Sequence, residues 1–127
     1  MQDRVTYEFA IIRLVPKVER EEFINVGAIV FSKRKKFLKM KFVIDRQRIQ
    51  AFSSEIDFEA IEAYLAAWEL VCEGEPKGGA IGKLDLPSRF RWLTASRSTI
   101  IQSSKPHPGL CLNPDLELKN LFEKHVL

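Results

Sequence analysis

The chain has 127 residues, 46% hydrophobic and 29% charged, with a net charge of +3. That balance excludes a disordered chain and fits a single globular domain over residues 1–127, long enough to bury about two-thirds of its unfolded surface without disulfide or metal. The weak positive charge permits an anionic partner without specifying nucleic acid. Cys72 and Cys111 form no CxxC pair, no apolar run is long enough to cross a membrane, and MQDRVTYEF lacks signal-peptide character, so a reduced, cytoplasmic protein is expected.

Val5 to Val15, VTYEFAIIRLV, is rich in β-branched and aromatic residues and reads as a strand. Val5, Tyr7, Phe9 and Ile11 share one face, and Ala10, Ile12 and Leu14 share the other. A strand apolar on both faces belongs at the centre of a sheet. Arg13 breaks the first face and is expected to reach water near the strand end. After Pro16 and the charged link KVEREE, Phe23 to Ser32 reads as a second strand. Alternation puts Asn25 and Gly27 on the face of Phe23, Ile29 and Phe31. Gly27 there marks a bulge or a close backbone approach, and Asn25 either satisfies neighbouring backbone groups or binds a ligand. The basic turn Lys33 to Lys36 leads into Phe37 to Ile44, where Leu38, Met40, Phe42 and Ile44 alternate with Lys39 and Lys41. Three antiparallel strands in a meander follow. The basic turn reads as a soluble hairpin tip, with phosphate contact as the alternative.

Asp45 to Phe52 reads as a short helical turn. Asp57 to Glu73 is a helix with Asp57 as N-cap and Gly74 as stop. Its stripe of Ile61, Tyr64, Leu65, Trp68, Val71 and Cys72 belongs in the core. EPKGGAIGK, Glu75 to Lys83, reads as a loop. It fails as a phosphate-binding loop because its glycines are misplaced, Leu84 stands where Ser or Thr is needed, and it follows a helix. Pro87 to Leu93 is a short helix anchored by Phe90 and Leu93, Ser98 to Ser103 a fourth strand, and Ser104 to Leu112 a loop. Asn113 caps a last helix with Pro114 at its first position and Lys124 and His125 in its last turn. The expected architecture is α+β: an antiparallel sheet of about four strands packed against two main helices.

One stretch carries the functional expectation. Leu86 to Pro114 contains no Asp or Glu but holds Arg89, Arg91, Arg97, Lys105 and His107 among hydroxyls and amides. Arg offers a planar fork of donors to phosphate or carboxylate. Arg97 stands beside Ser96, Ser98 and Thr99, with Gln102 downstream. The competing reading pairs Arg97 with a structural carboxylate such as Glu22. Phe90 and Trp92 either stack on bases or anchor the short helix. Asn25 and Arg97 are expected to approach one another across the sheet. There is no nucleophile elbow, HExxH, paired-glycine fingerprint or EF-hand. His107 and Cys111 lack a visible third group to activate them, and Glu19, Glu21 and Glu22 read as a solvated link. No cofactor, no metal and no catalytic residue are expected.

The segments YEFAIIRLVPKVEREEFINVGAIVFS and RFRWLTASRSTIIQ, with the later PHPGLC, resemble the bacterial family catalogued as domain of unknown function 3037. The resemblance implies association with genes for HipA-like kinase domains, and hence a small accessory partner in a toxin–antitoxin-like setting. Two readings follow. The first is a non-catalytic protein-interaction module with a HipA-like kinase as partner. The second is a phosphate, nucleotide or nucleic-acid binder, or an enzyme on such a ligand. The candidate contact residues are Asn25, Arg89, Arg91, Arg97, Ser98, Thr99, Gln102 and His107.

Overall fold

The computed structural model describes residues 3–127; residues 1 and 2, which begin the MQDRVTYEF stretch, lie outside the described residues. Strands β1 (Val5–Leu14), β2 (Ile24–Ser32) and β3 (Phe37–Phe42) form the expected antiparallel meander. The free edge of β1 then pairs with two further strands, β4 (Ile101–Ser103) and β5 (His107–Cys111), both antiparallel to it. β4 covers Ile12 to Leu14 and β5 covers Val5 to Phe9, so they are two halves of one interrupted edge strand. The α+β class stands, with four lanes built from five strands.

The fourth strand is shorter than Ser98–Ser103, and the segment read as a loop over Ser104–Leu112 contains β5. Pro106, Pro108 and Gly109 hid it. Proline is tolerated on an edge strand, where its missing N–H need not serve a ladder. Gly109 has its own reason: a Cβ there would stand 2.7 Å from Cε1 of Tyr7, whose ring lies across it. At the interruption Ser104 replaces the ladder. Its backbone N–H donates to Ile11 O at 2.8 Å, and its hydroxyl accepts from Ile11 N at 2.8 Å.

The two apolar faces of β1 serve two cores. Ile12 and Leu14 pack with Ile29, Phe31, Leu38 and Met40 against helices α2 (Phe58–Glu73) and α4 (Leu86–Thr94). Trp68 and Phe90 are fully buried there, and Phe31 stacks on Phe90. Val5, Tyr7 and Ile11 pack with Ala28 and Val30 against Leu118 and Leu121 of α5 (Pro114–His125). Of the smaller helices, α1 (Arg46–Phe52) is the expected turn, and α3 (Gly79–Gly82) is a single turn inside the segment read as loop. Asp45, Asp57, Asp85 and Asn113 cap the N-termini of α1, α2, α4 and α5.

The β1–β2 register breaks once. Ile12 faces Gly27, but Arg13 faces Asn25, which leaves Val26 as an extra residue on β2. This bulge corrects the face assigned to Asn25. Val26 and Ile24 both pack into the core under α2, and Asn25 turns to the α5 side, where Nδ2 donates to His125 O at 3.1 Å. Gly27 answers a close approach as well, since a Cβ there would lie 2.7 Å from Lys41 O.

Candidate functional site

The cations of the acid-free stretch are held largely by the fold itself. Arg89 crosses to the end of α2, where Nη1 donates to Val71 O and Cys72 O, both at 2.8 Å, while Nε donates to Leu84 O. Arg91 forms a two-pronged ion pair with Glu8 at 3.0 and 2.8 Å. Arg97 folds back on α4, donating to Leu93 O at 3.0 Å and Trp92 O at 2.6 Å. A cation over the last carbonyls of a helix meets the negative end of its dipole. The structural partner of Arg97 is therefore a pair of carbonyls, while Glu22 pairs with Arg20. Trp68 and Trp92 flank the Arg97 guanidinium at 5.0 and 4.8 Å from their ring centroids.

Arg97 still retains donors, because only two of its five N–H bonds are used by those carbonyls. It lines a cavity of about 310 Å³ with Ser96, Ser98, Gln102 and, from β1, Arg13. Val15, Val18 and Phe23 form the apolar part of the wall, and Glu21 completes it. The β-bulge helps build this place. Arg13 is flanked in register by Asn25 on β2 and Gln102 on β4, giving a row of amide, guanidinium and amide over three strands. Rather than reaching freely into water, Arg13 is half-buried, with its guanidinium 4.1 Å from the Phe23 ring centroid. Its Nε is buried without a hydrogen-bond partner, as is Asn25 Oδ1 in the same row. Neither Arg13 nor Arg97 forms an ion pair among the described residues. Glu21 sits in the left-handed conformation (φ 56°) at the end of the 3-10 turn Val18–Arg20.

Of the residues singled out in the sequence, the fold brings Arg97, Ser98 and Gln102 together. Gln102 Nε2 donates to Thr99 O at 2.8 Å, which leaves its amide oxygen as an acceptor. Thr99 accepts from Tyr64 Oη and donates to Ile101 O. Asn25 does not line the cavity with Arg97; Arg13 stands between Asn25 and Gln102. Arg89 and Arg91 are tied elsewhere, and His107 lies on β5 with its ring 5.4 Å from Phe9. Phe90 is core, and Trp92 stacks on Arg97. Arg13 is the cavity residue that the sequence reading sent to solvent at the strand end rather than to a site. Its signal was the single cation on an otherwise apolar strand face.

Two further hollows lie elsewhere on the surface. One, of about 630 Å³, lies between the β1–β2 link and the segment after α1, with Lys17 and Glu55 3.9 Å apart across it. The other lies beside the start of α5, next to Lys41 and Lys119. Among the described residues no group of three or more His, Cys, Asp or Glu side chains converges as a metal site, and no helix is long and apolar enough to cross a membrane. Burial pushes the Cys72 thiol up to about 12 and also raises that of Cys111.

A family model described as a protein of unknown function, DUF3037, matches residues 9–126, and the chain belongs to that family. No curated protein and no solved structure matches it.

Proposed function

We propose that this chain is a non-catalytic accessory module that binds an anionic group of a protein partner in the cavity at the end of β1. One observation carries the reading: Arg13 and Arg97, two guanidinium groups with no carboxylate ion partner among the described residues, line the same cavity beside Ser96, Ser98 and Gln102. Aromatic rings hold both cations in place, so little side-chain freedom is lost when an anion docks. The two thiols support a binding role over a nucleophilic one, because a raised pKa leaves little thiolate at neutral pH. The family resemblance suggests a HipA-like kinase as the partner, and the unpaired cysteines suggest a cytoplasmic setting; both belong to this proposal.

The test is titration calorimetry with inorganic phosphate and with acetate-capped acidic peptides at low and high salt, using the native chain and Arg13→Gln. Binding that weakens with salt and disappears in Arg13→Gln, at unchanged melting temperature, is the expected result. Co-expression with a HipA-like kinase should give a complex that the same substitution weakens. Binding of neither anion by the native chain would remove the reading.

A further inference from the structure

We infer that the cavity receives the C-terminal carboxylate of a partner polypeptide. This rests on the anion-binding reading above and narrows it to one chemical class.

Charge is the first argument. Arg13 and Arg97 supply two positive charges and Glu21 one negative, so the wall carries a single net positive charge. That complements a monoanionic carboxylate better than a phosphomonoester, which carries about −1.5 to −2 at neutral pH. The second argument is the mix of donors and acceptors. Phosphate oxygens call almost wholly for donors. Here the guanidinium edges and the Ser96 and Ser98 hydroxyls stand beside two acceptors, the Glu21 carboxylate and the amide oxygen that Gln102 keeps once its nitrogen has donated to Thr99 O. A chain terminus offers both halves, a carboxylate to accept and a backbone N–H next to it to donate.

Shape gives the third argument. The Phe23 ring lies 4.1 Å from the Arg13 guanidinium, and Trp68 and Trp92 lie 5.0 and 4.8 Å from that of Arg97, whose planar donor edge keeps three N–H bonds beyond the two given to Leu93 O and Trp92 O. An edge of this kind matches the two coplanar oxygens of a carboxylate. A volume of about 310 Å³ is at the small end for ligand sites and is enough to take one terminal residue. Val15, Val18 and Phe23 favour an apolar side chain on that residue.

The experiment uses the full chain and two mixed-sequence hexapeptide libraries, one with free C-termini and one with amidated C-termini, alongside inorganic phosphate and a phosphoserine peptide with an amidated terminus. Binding is read by fluorescence anisotropy. The free library should bind at least about tenfold more tightly than the amidated one, a gap of about 1.4 kcal/mol. Arg13→Gln should erase the gap, and retained peptides should end in apolar residues. Glu21→Gln, which removes the one negative charge, should tighten binding of phosphate relative to free peptide. Phosphate or phosphopeptide binding without a free-terminus preference overturns this inference and leaves the anion-binding module standing. Failure of every anionic probe with the native chain overturns both.

Discussion

Removing the Ser104 hydroxyl should destabilise the fold through a single amide. Ser104 is 5% exposed and sits where β4 has ended and β5 has not begun. Its Oγ accepts the N–H of Ile11 in the central strand and donates to Lys105 O at 3.1 Å. Ser104→Ala leaves the Ile11 N–H buried without a partner, which costs roughly 1–3 kcal/mol. Unfolding entropy is about 2.1 cal/mol/K per residue, so a chain of 127 residues should lose roughly 4–11 °C in melting temperature. Thermal unfolding followed by circular dichroism reads the loss, and amide exchange locates it, with the Ile11 amide losing protection ahead of its neighbours. Ser103→Ala is the control: its Oγ donates only to the adjacent Ser104 O from a half-buried position, and its removal should cost less than about 1 kcal/mol. Equal melting temperatures for Ser104→Ala and the native chain would refute the reasoning.

Other outcomes follow from the same geometry. Gly109→Ala would place a Cβ 2.7–2.9 Å from the Tyr7 ring and hydroxyl, forcing a shift that should cost about 1–3 kcal/mol in urea unfolding. Burial, then the adjoining Glu117 carboxylate, raises the Tyr7 phenol to about 12. The folded state therefore holds that proton more tightly than the unfolded state. The associated stability is complete below about pH 10 and is lost between about pH 10 and 12; Tyr7→Phe should remove that loss, so that the native-minus-variant stability difference falls across this range. Arg97→Ala removes two bonds to the last carbonyls of α4 and the stacking on Trp68 and Trp92. It should lower stability by about 2–4 kcal/mol and shift tryptophan emission, whereas Arg97→Lys should recover only part of either. Cys72 should resist a thiol-specific reagent at pH 8 in the native protein and react at once in denaturant.

Local chemistry was legible wherever neighbours in sequence sufficed. Two apolar faces on Val5–Leu14 announced a central strand, and Asp57, Gly74, Asn113 and Pro114 marked their helix ends. Non-local pairing was less so. β5 carries Pro108 next to Gly109, with Pro106 just before it, and becomes a strand because β1 supplies a partner edge and Tyr7 fills the space over Gly109. A one-residue slip at Val26 was enough to send Asn25 to the opposite face, and simple alternation cannot register it. At the cavity, Arg97, Ser98 and Gln102 are near one another in sequence and were found together. Arg13 joins them only through the β1–β4 pairing, which unites residues far apart in the chain. The attachment of Arg89 to the end of α2 is likewise a contact between separate helices.

The interrupted edge strand has a consequence for biosynthesis. The Ile11 amide waits for a hydroxyl 93 residues further along the chain. At roughly 5–20 residues added per second, that partner emerges from the ribosome about 5–20 s after the strand that needs it. In that interval β2 and β3 can close one side of β1, while its other side stays unzipped and its VTYEFAIIRL sequence presents apolar side chains on both faces. Nascent chains stalled before Ile101 should therefore recruit chaperones that bind extended apolar segments, and chains stalled far enough beyond Cys111 for β5 to clear the exit tunnel should release them.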